Sequence, residues 1–155
     1  MEKMAAKEAR VLIIEDNDVL RVMLFTILRH QPLAVDTATT AAEAVEKVMS
    51  CDYALILIDM NLANDDASTF LSQFTYERPE ATTFIIAVRD PNSEVAFEHD
   101  VVSAIVNKPL EIDTLAEVVR ECAAVVPPPE NPLPCPPAES DLRDRFDQSG
   151  SFYTN

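Results

Sequence analysis

The chain has 155 residues, 48% of them hydrophobic, and carries 27 acidic against 12 basic side chains for a net charge of −15; that is enough for one ordinary domain with its own core and a tail. Such a charge opposes direct binding to nucleic acid and to anionic membrane surfaces, and favours cations or basic partners. The single glycine, Gly150, lies near the C-terminus, so phosphate-cradling loops of the glycine-rich kind, and the nucleotide binding they support, are excluded.

The opening residues MEKMAAKEAR show no secretory cleavage pattern, and no apolar run approaches the ~20 residues of a membrane helix. A cytoplasmic chain without a membrane partner is expected, with residues 1–8 as a short extension. The first strand is predicted in VLII at 11–14, followed by a helix whose apolar stripe runs Leu20, Met23, Leu24, Ile27 and Leu28. LAV at 33–35 is the second strand. A second helix follows with Ala41, Ala44, Val45, Val48 and Met49, opened by the capping box Thr40-Ala-Ala-Glu43. The third strand is ALILI at 54–58, and Ala67, Phe70, Leu71 and Phe74 stripe the helix after it. FIIAV at 84–88 is the fourth strand, PNSEVAFEH at 91–99 a helix too short for a full stripe, and AIV at 104–106 the fifth strand. Ile112, Leu115, Ala116, Val119 and Ala123 mark the last helix. Strands that are apolar throughout are covered on both faces, and five of them alternating with five helices predict an α/β fold built on a doubly wound parallel sheet.

After Val126 the composition changes. PPPENPLPCPP holds seven of the 11 prolines, which prevents helix and favours an extended linker. Residues 126–155 are therefore read as a proline-rich acidic tail, either disordered or a docking segment. Cys51, Cys122 and Cys135 are odd in number and widely spaced, so neither a disulfide framework nor a metal knuckle is expected.

The acids and one lysine carry the chemistry. In an open parallel sheet, ligands sit outside the carboxyl ends of the strands. Glu15 and Asp16 close the first strand and Asp59 the third. With strand order 2-1-3-4-5 these two strands are central neighbours and the three carboxylates converge. Clustered carboxylates repel and raise their own pKa values unless a cation joins them, and oxygen ligands with open positions suit Mg2+. An aspartate beside that metal can attack a phosphoryl group, while Lys108, after the fifth strand, can neutralise charge on the transferring oxygens. Pro109, which follows it, is a candidate for a cis bond. Taken singly, Asp16 or Asn17 reads equally well as a helix cap, Asp59 as the start of a turn and Lys108 as a solvated loop residue.

Together, Glu15-Asp16 after strand one, Asp59 after strand three and Lys108-Pro109 after strand five resemble the receiver domain of bacterial two-component response regulators, over residues 9–125. The resemblance implies a flavodoxin-like fold with sheet order 2-1-3-4-5 and five helices, in which Asp59 is the phosphoacceptor. It further implies that Asp16, Asp59 and the backbone carbonyl of Asn61 bind Mg2+, that Glu15 helps through water, and that Lys108 contacts the phosphoryl group. The implied partners are a sensor histidine kinase or phosphotransfer protein and a downstream protein on the face of the fourth helix, fifth strand and fifth helix, with a homodimer also open. No turnover activity is implied.

Four positions depart from the family's pattern. Arg89 stands where strand four usually ends in Thr or Ser, and Ile105 replaces the aromatic that moves with that hydroxyl; Ala63 and Ala67 replace a proline and a glycine of the loop after Asp59. Arg89 can reach phosphoryl oxygens, pair with Asp59, or turn outward to Asp90 or Glu94. The alternative reading is accordingly a degenerate receiver, a binding module that works without phosphorylation. Asp16-Asn-Asp18-Val19 also matches the DxDx[TV] opening of haloacid dehalogenase-type phosphatases, which would move the nucleophile to strand one.

Overall fold

A computed structural model describes residues 8–93 and 100–142 of the chain. Five strands, β1 (Ala9–Ile14), β2 (Leu33–Ala38), β3 (Leu55–Asp59), β4 (Phe84–Arg89) and β5 (Ala104–Asn107), form one sheet in the order β2-β1-β3-β4-β5. All four pairings are parallel. Among the described residues, the α-helices that pack on the sheet are α1 (Asp18–Arg29), α2 (Ala41–Ser50), α3 (Asp66–Glu77) and α4 (Ile112–Ala124), and residues 139–142 are also helical. The helix expected over 91–99 falls, at 94–99, outside the described residues.

Alternation along the strands builds two cores. Leu12, Ile14, Ile56, Ile58, Ile85 and Ala87 face α2 and α3, while Val11, Ile13, Leu55, Leu57, Ile86 and Val88 face α1 and α4. This double coverage is why β1 and β3 read as unbroken apolar runs. The stripes on α3 and α4 are largely buried as expected. On α1 the buried residues are Leu24, Phe25 and Leu28, and Met23 turns outward, as does Met49 on α2. Both methionines stand at the rim of their apolar stripes, where helical period alone does not fix the side.

At the start of α2, Thr40 Oγ1 accepts from Glu43 N at 3.2 Å, and Glu43 Oε1 accepts from Thr39 N at 2.6 Å. The capping box is thus formed with its return bond one residue earlier than the usual pattern. Thr40→Ala is expected to cost ~1 kcal/mol and to lower the melting temperature by roughly 2–4 °C, the shift per kcal/mol for a chain of this size; a thermal melt by circular dichroism checks it.

The proline-rich segment differs from the disordered alternative over its described part. It runs past the amino ends of the strands in sheet order: Pro127 O accepts from Thr82 Oγ1 before β4, and Leu133 N donates to Asp52 Oδ2 before β3. Pro136 O then accepts from Arg10 on β1, and Ser140 Oγ accepts from Val35 N on β2 at 2.8 Å. Ala138 and Ser140 are buried. Cys135 is disulfide-bonded to Cys51, with 4.7 Å between their Cα atoms, which corrects the expectation that the cysteines form no bridge. Spacing could not reveal it, because the two are 84 residues apart and meet only through this return path. Residues 143–155 of the tail lie outside the described residues.

Candidate functional site

The site lies at the carboxyl ends of β1, β3 and β5, opposite the crossing of the proline-rich segment. Asp59 is the last residue of β3 and is buried, Glu15 directly follows β1 and is buried, and Asp16 beside it is exposed. One oxygen from each of the three carboxylates lies within 4.8 Å of the others. β1 and β3 are paired in register from Val11↔Leu55 to Ile14↔Ile58, which sets Glu15 opposite Asp59. Among the described residues this is the acidic and metal-capable cluster that the strand order predicts.

Each carboxylate is oriented. Asp59 Oδ2 accepts from Lys108 Nζ at 2.9 Å, and Oδ1 accepts from Asn61 N at 2.8 Å. Glu15 Oε2 accepts from Asn17 N at 3.1 Å, and Asp16 Oδ2 from Ala63 N at 3.2 Å. Asn17 is at the same time the N-cap of α1, with Oδ1 accepting from Leu20 N. The Lys108–Pro109 peptide is cis, and Lys108 N donates to Arg89 O, which ties the end of β5 to the end of β4.

Charge crowding shows in the titration of the cluster. Burial, followed by hydrogen bonding and repulsion from Asp59, pushes the Glu15 carboxyl up to about 8 against the pull of the Asn17 amide and Lys108. Burial works to lower Lys108, but its hydrogen bond to Asp59, then the charges of Asp59, Glu15 and Asp90, raise it above the ordinary lysine value. The pocket therefore holds more negative charge than one lysine offsets.

The residues that depart from the expected pattern are also placed. Arg89 ends β4, and its Nε donates to Asn107 Oδ1 at 3.2 Å. Asp59 takes Lys108 as an ion-pair partner at 2.9 Å. Glu94 lies outside the described residues. Ile105 is exposed on β5, opposite Ala87 in the ladder. Asp18 begins α1, pairs with Arg21 and stays 85% exposed, so it does not join the cluster as a strand-one nucleophile motif would need. In the loop after Asp59, Asn64 and Asp65 hold positive φ of 60° and 55°, a region that asparagine and aspartate tolerate better than most residues.

Sequence reasoning missed the supports of Asn61. Its Oδ1 accepts from Asp90 N and its Nδ2 donates to Ser93 Oγ, both at 2.9 Å, binding the β3 loop to the β4 loop. It also missed Asn107 as a partner of Arg89. Asn107 directly precedes Lys108, but an asparagine at a strand end has too many ordinary uses for the sequence to single it out.

A family model described as the response regulator receiver domain matches residues 11–120. The chain belongs to this family. Among relatives of this receiver, the transcriptional regulatory protein PmrA of Pectobacterium parmentieri is 33% identical over 81 residues, covering 52% of this chain and 36% of that protein. A protein-glutamate methylesterase/protein-glutamine glutaminase of Anaeromyxobacter dehalogenans is 28% identical over 149 residues, covering 86% of this chain and 43% of that protein. The chain thus spans less than half the length of either. Among solved structures, the response regulator TrrA of Thermotoga maritima, in complex with Mg(2+)-BeF, is similar with a TM-score of 0.63 and 22% identity, covering 74% of this chain and 98% of that one. A CheY-like receiver domain protein from Methanospirillum hungatei gives a TM-score of 0.69 at 16% identity, covering 76% and 96%. At these identities the likeness speaks for the fold, a CheY-like, flavodoxin-like five-stranded sheet.

Proposed function

We propose that this receiver domain accepts a phosphoryl group on Asp59 and signals through a protein partner. The observation that carries this reading is the convergence of Glu15, Asp16 and Asp59, with Lys108 Nζ 2.9 Å from Asp59 Oδ2. The donor is a phosphohistidine on a sensor kinase or phosphotransfer protein. An Asp59 carboxylate oxygen attacks phosphorus, an acyl phosphate O–P bond forms, the P–N bond breaks and the electron pair leaves on the imidazole. The product stays on the chain, so no turnover is involved. A cytoplasmic setting goes with this donor.

The residues fit a hard divalent cation. The donor set is all oxygen, three carboxylates approach within 4.8 Å, and Asp16 is exposed, leaving open positions towards solvent. Asp16, Asp59 and the Asn61 carbonyl would hold Mg2+, with Glu15 acting through water. When bound, the ion offsets charge on the phosphoryl oxygens. The chain's own groups do the rest: Asn61 N orients Asp59 Oδ1, and Lys108, raised above its ordinary pKa, stays protonated to meet the incoming oxygens. The downstream partner is assigned to the side of β5 and α4, the described part of the face expected for the fourth helix, fifth strand and fifth helix; a homodimer through that side is compatible with the reading.

The second reading, a degenerate receiver, is favoured by one observation: Arg89, where a hydroxyl is usual, is held by Asn107 next to Lys108. Intact-mass analysis with a small phosphodonor distinguishes the two. A single adduct that forms with Mg2+ and not with a chelator is expected on the wild type. An adduct on Arg89→Thr but none on the wild type would show that Arg89 disables the pocket, and would make the chain a binding module.

A further inference from the structure

The crossing of the proline-rich segment covers the outer edge of β2, and side chains rather than a strand do the covering. Val35 N and Thr37 N, the amides of β2 turned towards the segment, donate to Ser140 Oγ at 2.8 Å and to Glu139 Oε1 at 2.9 Å, while Glu139 N donates to Asp36 Oδ1 at 2.8 Å. Lys47 pairs with Glu139 from α2. The noncovalent hold is polar rather than apolar. The prolines offer no amide donors, the apolar side chain fully buried from this segment is that of Ala138, and Leu142 remains exposed.

What closes the cover is the Cys51–Cys135 bond, which joins the segment to the end of α2. Cys135 is only partly buried. Cys51 is buried and lines an open pocket of ≈ 290 Å³ with Arg10, Lys47, Tyr53, Pro136 and Glu139, so Cys135 is the less buried sulfur of the bond. A covalent closure beside a polar, water-competable contact allows two discrete arrangements, covered and open, with the bond weighting the covered one.

We propose that Cys51–Cys135 is a thiol-responsive latch: exchange with a dithiol reductant frees residues 133–142 from β2 and bares the Val35 and Thr37 amides. A reductant thiolate attacks Cys135 Sγ, a mixed disulfide forms and Cys51 leaves as the thiolate. The second thiol of the reductant then closes its own disulfide and releases Cys135. Two electrons pass to the protein, both cysteines take up protons, and the reductant ends as its disulfide. In the cytoplasmic setting proposed above, a disulfide is more often a redox-sensing bond than a permanent one. Bared edge amides form a template for strand addition, so opening changes what the β2 side can bind without touching the acidic pocket at the other end of the sheet.

The test uses the full chain before and after treatment with dithiothreitol, and Cys135→Ser beside it. Alkylation of the unfolded oxidised protein should label one cysteine, Cys122, and of the reduced protein all three. Amide hydrogen exchange at Val35 and Thr37 should accelerate roughly tenfold or more on reduction and in Cys135→Ser, while Leu57 in the centre of β3 keeps its protection; reoxidation should restore the slow exchange of the wild type. Three reactive cysteines after exposure to oxidised glutathione would overturn the proposal, as would unchanged exchange at Val35 and Thr37. Parallel loss of protection at Leu57 would overturn it too, because the bond would then be a staple of the whole domain.

Discussion

Asp59→Asn is expected to abolish phosphoryl uptake while leaving the domain folded. The amide lacks the nucleophilic electron pair of a carboxylate, and neither neighbour stands in its place: Glu15 is buried with its Oε2 turned to Asn17 N, and Asp16 points its Oδ2 to Ala63 N from an exposed position. The fold survives because asparagine keeps the carbonyl oxygen that accepts from Asn61 N. Loss of the charged bond to Lys108 costs ~1–3 kcal/mol, and it is offset in part because Asp59 is one of the groups that push Glu15 up. The expected result is a melting temperature within several degrees of wild type and a mass spectrum without adduct. An adduct on the variant under conditions that modify wild type would remove Asp59 from the role.

Affinity for Mg2+ is expected to climb steeply from about pH 6 to about pH 8, by up to about tenfold per pH unit, because binding favours the ionised form of Glu15 and one proton is displaced. The sign follows from Glu15 alone. Its folded-state pKa, about 8, lies above the ordinary 4.5, so the folded protein binds more protons than the unfolded chain between these values. The stability this contributes is fully present below about pH 4.5 and is lost as pH rises through about 8. Metal-free protein should therefore melt at lower temperature as pH rises across that window, and Mg2+ should oppose the fall. Glu15→Gln should flatten the profile and melt above wild type at the alkaline end when metal is absent. Calorimetric melts at several pH values, with Mg2+ and with a chelator, check both statements; a flat wild-type profile would mean that Glu15 is ionised throughout.

How far the sequence discloses this molecule depends on the range of the interaction. Strand and helix placement was legible because VLII and ALILI are apolar throughout and stripes such as Ala67, Phe70, Leu71 and Phe74 keep a helical period, both local signals. The acid cluster was legible because fold rules put the carboxyl ends of β1 and β3 side by side, and Asp59 and Glu15 stand at those ends. Rim positions such as Met23 were not, since one step in helical phase separates core from solvent. Nor were contacts between residues far apart in the chain: Asn61 with Ser93, Arg89 with Asn107, and above all Cys51 with Cys135. Proline-rich composition reports stiffness and a lack of amide donors; it carries no information on whether Ser140 and Glu139 will find the edge amides of β2.

The measurement that bears most directly on the central claim is chemical trapping of the modified residue. After incubation with Mg2+ and a small phosphodonor, hydride reduction converts an aspartyl phosphate to homoserine and leaves ordinary carboxylates untouched, so peptide sequencing locates the acceptor. The account predicts homoserine at position 59 and aspartate retained at 16 and 36. Homoserine at 16 with aspartate intact at 59, or no homoserine anywhere in a metal-loaded protein, would contradict it.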